Sequence, residues 1–185
     1  MNDAAARELL EKAFAELGYP RSTRALQAIG AIAKLESSYG ARTNNWGSIQ
    51  CGSSPPCPPD CVELEDSHAD GTKYRWCYRT WPTPYEGARY LVKNLMTRGG
   101  GIVRPALYEG SALEIATKMR ETYYFEAKTS FYAKAIEARG KEIARSMGEP
   151  FLLGSSAKSK GGGAVLGALA VTGALLWVTL RTSKG

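Results

Sequence analysis

The run STRALQAIGAIAKLESSYG, residues 22–40, decides how this chain is read. Leu26, Ile29, Ile32 and Ala33 recur at helical spacing and form one apolar stripe, with Ser22 placed to cap the first turn and Gly40 to end the last. Glu36 falls close to that stripe at the helix end, an unusual position for a carboxylate because apolar surroundings penalise its charged form. The same periodicity predicts further helices over 3–17, 85–97, 111–122 and 129–147. Between the helix over 22–38 and that over 85–97, CVELED (61–66) and KYRWCYR (73–79) flank HADG (68–71) and read as a β-hairpin. Alternation puts Val62, Leu64 and Asp66 on one face of it and Glu63 and Glu65 on the other. The expected body is mainly α with a small β-hairpin lobe.

A chain of 185 residues with 44% hydrophobic and 23% charged residues is an ordinary globular composition, which excludes a disordered or collagenous protein. The formal charge of +6 is unevenly placed: all 18 acidic residues lie at or before Glu149, so the body carries +2 and the segment after it +4. A nucleic-acid binder concentrates its Lys and Arg on the folded body, so no nucleic-acid partner is expected. Cys51, Cys57, Cys61 and Cys77 cluster in one stretch of the body. They read as candidates for two disulfides in any of three pairings, with reduced thiols or a zinc site as alternatives. Zinc is disfavoured because paired C-x2-C knuckles are missing and His68 is the one histidine, so neither a metal nor a cofactor is expected.

The C-terminal part differs in kind. Residues 151–162 are rich in Gly, Ser and Lys and read as a flexible linker, and 163–180, GAVLGALAVTGALLWVTL, is an uncharged run about long enough to span a bilayer. Residues 181–185 form a basic tail, and residues 1–150 are the expected folded domain. The full expected fold class therefore adds one C-terminal transmembrane helix to the mainly α body, with a lipid bilayer as partner through 163–180. Gly163 and Gly167 stand in the spacing that lets two such helices self-associate. The N-terminal segment reads as an amphipathic, charged helix rather than a secretory signal. The expected localisation is membrane-anchored with the folded domain outside the cytoplasm, where disulfides persist.

Three segments in order carry a resemblance. LESSYG (35–40), NNWGSIQ (44–50) and YRTWPTPYEG (78–87), with Tyr124 and Tyr132 downstream, resemble the active-site signature of lysozyme-fold peptidoglycan hydrolases, the soluble lytic transglycosylases and bacterial glucosaminidases. The likeness covers about residues 5–147. Ser48-Ile49-Gln50 replaces the strings usual in those families, the Cys- and Pro-rich insertion belongs to neither pattern, and the spacing from Tyr124 to Tyr132 is longer. The resemblance implies a lysozyme-like α+β fold and a peptidoglycan glycosidase. With the apolar run it also resembles the lytic enzymes of phage virions, whose internal membrane would be one place for such a body.

Cleaving a β-1,4 glycosidic bond requires a proton on the leaving oxygen, and hence a carboxyl group that stays protonated near neutral pH. The resemblance assigns that role to Glu36. The resemblance also implies a second acidic residue in the β-lobe, with Glu63, Glu65, Asp66 and Asp70 as candidates, and Asp66, on the inward face of the hairpin, is the expected second catalytic carboxylate. Asn45, Ser48, Gln50, Tyr124 and Tyr132 are expected to bind the glycan strand, with Trp46, Tyr74, Trp76 and Trp81 as stacking platforms. A catalytically inactive lysozyme-fold module, binding glycan or serving as a structural virion component, is the competing expectation.

Overall fold

The computed structural model describes residues 1–41, 43–67 and 70–154. Their order is α1 (Asp3–Glu16), α2 (Thr23–Ser37), β1 (Cys61–Ser67), β2 (Lys73–Arg79), α3 (Pro84–Gly101), α4 (Val103–Glu109), α5 (Ala112–Glu121) and α6 (Thr129–Met147). The helix starts are written into the sequence. Asn2 and Ser22 accept from the backbone N–H groups of Ala5 and Ala25, and Thr83–Glu86 and Ser111–Glu114 form reciprocal capping boxes. Pro84 opens α3 where a missing N–H costs nothing.

Helix α2 is the axis of the core. Every residue from Ala25 to Ala33 is buried, and α1, α4 and α6 pack around it, with α5 against α6 and α1 against α3. It stops at Ser37, within a residue of the expected end at 38, and Ser38 rather than Gly40 takes the left-handed conformation that closes it. Gly40, at φ +71°, serves the turns that follow. Helix α4 was not expected from the sequence. The helical pattern of α3 breaks at Arg98, Gly99 and Gly100, and the chain then turns into this short element, where only Val103 and Leu107 are buried.

The hairpin is antiparallel, in register from Cys61 opposite Arg79 to Ser67 opposite Lys73. Its inner face carries Val62, Leu64 and Asp66 against Tyr78, Trp76 and Tyr74. Its outer face carries the ion pairs Glu63–Arg75 and Glu65–Lys73.

Residues 151–154, at the head of the stretch read as linker, lie against the helices. Leu153 is fully buried beside Gly140, and its carbonyl accepts from the Ala112 N–H at 2.9 Å. Buried Gln27 of α2 completes the attachment, donating to the Pro150 carbonyl at 2.9 Å and accepting from the Leu152 N–H at 3.1 Å.

The expected fold class needs correction in its last part. Among the described residues no helix is long and apolar enough to cross a membrane. The two longest, α3 and α6, carry Glu86, Arg89 and Lys93 and Lys134, Glu137 and Lys141, charges that a spanning segment excludes. The architecture is a mainly helical body with a two-stranded sheet. The run 163–180, to which a spanning helix, bilayer contact and self-association were assigned, lies outside the described residues, as does His68.

Candidate active site

Glu36 reaches its place because α2 ends one residue beyond it. Ser38 and Tyr39 both turn left-handed, at φ +49° and +62°, and carry the chain back over the helix end. Tyr39 is buried there, its ring 5.5 Å from that of Trp46, and its hydroxyl donates to Asp3 at 2.7 Å. The returning loop is laid tightly on its neighbours. A Cβ on Gly87 of α3 would stand 1.7 Å from the Asn44 carbonyl oxygen, and one on Gly47 would stand 2.6 Å from the Tyr124 hydroxyl. Those two contacts explain why glycine occurs at both positions.

Loop polar groups divide between self-support and the site. Asn45 is buried and spends both ends of its amide on the backbone of Ile49, at 2.8 and 2.9 Å. Ser48 donates to the backbone carbonyl of Glu36 at 2.8 Å. Both were expected on the glycan; the structure places them as the scaffold that fixes the loop to the helix end. Gln50 is exposed and pairs with Tyr78 through both backbone and side chain. Trp46 is fully buried in the core, so it offers no sugar platform, whereas Tyr74, Trp76 and Trp81 keep partial exposure.

Tyr132 of α6 donates its hydroxyl to Oε1 of Glu36, and the Phe125 ring stacks on the far side of Tyr132 at 3.8 Å. Tyr124 lies beside the same carboxyl group and donates to the Gly47 carbonyl at 3.1 Å. Burial is the main cause that pushes the Glu36 carboxyl up to about 7; the charge of Asp66 adds to it, and the hydrogen bond from Tyr132 works in the opposite direction. Burial and then the Glu36 charge hold the Tyr124 and Tyr132 hydroxyls well above their ordinary value, so both remain donors.

Asp66 is approached from the hairpin side. Its Oδ2 accepts from Tyr74 at 3.0 Å and also from Tyr78. Burial, then the bond to Asp66, raises the Tyr78 hydroxyl, which keeps it a donor too. The site thus joins Glu36, Asp66, Gln50, Tyr124 and Tyr132, all predicted, with Tyr78, whose role was missed. The signal for Tyr78 was available: in the predicted hairpin it shares the inward face with Asp66. Glu63 and Glu65, also considered for the second carboxylate, face away in their ion pairs, and Asp70 accepts from the Thr72 N–H at 2.8 Å in the hairpin turn.

The cysteines pair as Cys51–Cys61 and Cys57–Cys77. Together they staple the proline-rich segment to the strands that carry Asp66 and Tyr78. The Cys51 N–H also donates to the Cys77 carbonyl and the Arg79 N–H to that of Ile49, so residues 49–51 run along β2 as a short added edge.

No family model matches the chain, and no curated protein matches its sequence. Three solved structures are similar in shape. A mutant peptidoglycan hydrolase from Sphingomonas sp. A1 aligns with TM-score 0.54 and 15% identity over 77% of this chain and 96% of that one. The glycoside hydrolase domain of FlgJ from Salmonella typhimurium gives 0.49 and 18% over 80% and 91%. The catalytic domain of the autolysin Auto from Listeria monocytogenes gives 0.44 and 17% over 79% and 80%. On the first of these alignments, the body has the fold of a peptidoglycan hydrolase.

Proposed function

We propose that this protein is a peptidoglycan-degrading glycosidase that cleaves β-1,4 glycan bonds with Glu36 as general acid. The observation that carries the reading is the carboxyl group of Glu36, held up to about 7 by burial and the nearby Asp66 charge, with Tyr132 fixing one of its oxygens. A carboxyl group so tuned retains its proton near neutral pH and can deliver it to a leaving glycosidic oxygen. With Oε1 occupied by Tyr132, Oε2 is the oxygen left to carry and transfer that proton. The shared fold with a peptidoglycan hydrolase supports the substrate class.

Asp66 serves the second half of the reaction. As positive charge develops at the anomeric carbon, a carboxylate fixed by Tyr74 and Tyr78 stabilises it or takes a proton from the attacking oxygen. If that oxygen belongs to water, the product has a reducing end; if it is the C6 hydroxyl of the same sugar, the product is a 1,6-anhydro sugar. Gln50, on the exposed side of Tyr78, supplies amide groups for a sugar's acetamido or hydroxyl partners. The two disulfides support action outside the cytoplasm.

The test is mass spectrometry of soluble products from purified murein incubated with the full chain and with Glu36→Gln, which keeps the side chain's shape and removes the acid. Fragments made by the wild type and absent from Glu36→Gln support the reading, and their ends name the bond and route. Equal silence from both proteins, with murein bound, would replace it by the inactive binding module.

A further inference from the structure

A cavity of about 450 Å³ opens on one face of α3, walled by Trp81, Glu86, Arg89, Tyr90, Lys93 and Asn94. Its volume falls within the roughly 300–1,000 Å³ of small-molecule sites. Glu36 does not line it, yet the two are joined. Asn94 accepts from Arg98 at 3.1 Å, the Arg98 guanidinium lies 4.9 Å from the centre of the Tyr124 ring, and Tyr124 is next to Glu36. The cavity is thus linked to Glu36 through Asn94, Arg98 and Tyr124.

Its lining is sorted by chemistry. Trp81 and Tyr90 are half-buried with rings 4.8 Å apart and tilted by 42°, leaving aromatic surface of the kind on which the C–H face of a sugar packs. Trp81 is held in place by its backbone, which bonds Thr43 and the Asn44 side chain at 3.1 and 2.8 Å. The charges are mostly committed: Glu86 accepts from the N–H and hydroxyl of Thr83 at 3.0 and 2.9 Å, and Arg89 pairs with Glu16 at 3.4 Å. Lys93 is different, since it is exposed and forms no ion pair among the described residues. An aromatic floor with one uncommitted ammonium fits a sugar ring that bears a carboxylate better than a neutral glycan.

We infer that this cavity is a specificity subsite for the peptide-substituted sugar of a murein strand, with the ring on Trp81 and Tyr90 and a stem-peptide carboxylate on Lys93. The inference rests on the glycosidase reading and adds the feature that would separate murein from unsubstituted N-acetylated glycan.

The experiment measures binding of full-chain Glu36→Gln to purified murein and to chitin, the β-1,4 N-acetylglucosamine polymer that carries neither peptide nor carboxylate. Adding Lys93→Gln is expected to weaken binding to murein about two- to fivefold at low salt, less at high salt, and to leave binding to chitin as it was. Adding Trp81→Ala is expected to weaken both about three- to tenfold. Lys93 is exposed, so its replacement leaves folding intact even if the Trp81 variant does not fold. Equal effects of Lys93→Gln on both polymers, or no effect on either, would overturn the subsite alone. Failure of Glu36→Gln to bind either polymer would overturn the glycosidase reading and the subsite together.

Discussion

Tyr132 and Glu36 stand 96 residues apart in the chain, and the hydroxyl of the first donates to the carboxyl group of the second. The bond favours the charged form of Glu36, while burial and Asp66 favour the neutral one, so burial and two neighbours set one proton's affinity in opposing directions.

That opposition makes the alkaline limb of the pH–rate profile movable both ways. In the wild type kcat is expected to fall as pH rises through about 7, where Glu36 gives up its proton. Tyr132→Phe removes the bond that lowers Glu36 and is expected to move the limb up, with kcat reduced about tenfold from lost positioning. Asp66→Asn removes the charge that raises Glu36 and is expected to move the limb down, with kcat lower by about 10²–10⁴-fold. Rates measured on soluble muropeptides across pH 5–9 check both; shifts of the same sign in both variants would contradict the arrangement.

Glu36 also carries a cost in stability with a definite sign. Its folded-state value of about 7 lies above the ordinary 4.5, so the folded protein binds the proton more tightly than the unfolded chain. The associated stability is fully present below about 4.5 and lost as pH rises through 7. Denaturant midpoints of wild type and Glu36→Gln are expected to diverge over that window, with the variant becoming relatively more stable at the upper end.

Asp3 acts at the acid end. Burial pushes its carboxyl up, and hydrogen bonds from Ser146, Tyr39 and Lys34 more than offset this, leaving it below its ordinary 3.8. Its contribution is present above 3.8 and lost as pH falls through the lower folded-state value. Asp3→Asn is expected to destabilise the protein at neutral pH by about 1–2 kcal/mol and to show a smaller difference from wild type in strong acid. Urea unfolding at pH 7 and at pH 2.5 is the check.

The disulfides bridge separations of 10 and 20 residues. Replacing the Cys57–Cys77 pair with serines is expected to cost about 2–4 kcal/mol, read as a lower melting temperature. Because Tyr78 adjoins Cys77 in β2, the same variant is expected to lose activity at temperatures where it is still folded. A variant with unchanged kcat would mean that the hairpin keeps Asp66 in place unaided.

Much of this body was legible in the sequence, and the parts that were not share a physical reason. Helices α1, α2, α3, α5 and α6 were found because periodic apolar stripes and capping residues are local signals. Helix α4 is seven residues with Pro105 inside it and is stable only through Val103 and Leu107, so nothing local announces it. Asp66 was placed inward by strand alternation alone. Asn45 and Ser48 were assigned to the glycan because amides and hydroxyls suit sugars, but the same groups suit a loop with backbone atoms to satisfy, and packing against α2 and α3 decided for the loop. Trp46 was lost to the core for a similar reason. The cysteine pairing depends on how the proline-rich segment folds back on the hairpin, which spacing does not encode.

The burial of Leu153 has a mechanical meaning. With Gln27 gripping residues 150 and 152, and Ala112 gripping 153, a pull applied at residue 154 is borne by α2 and α5 directly and does not peel α6 from its end. A load applied there enters through the helix that presents Glu36.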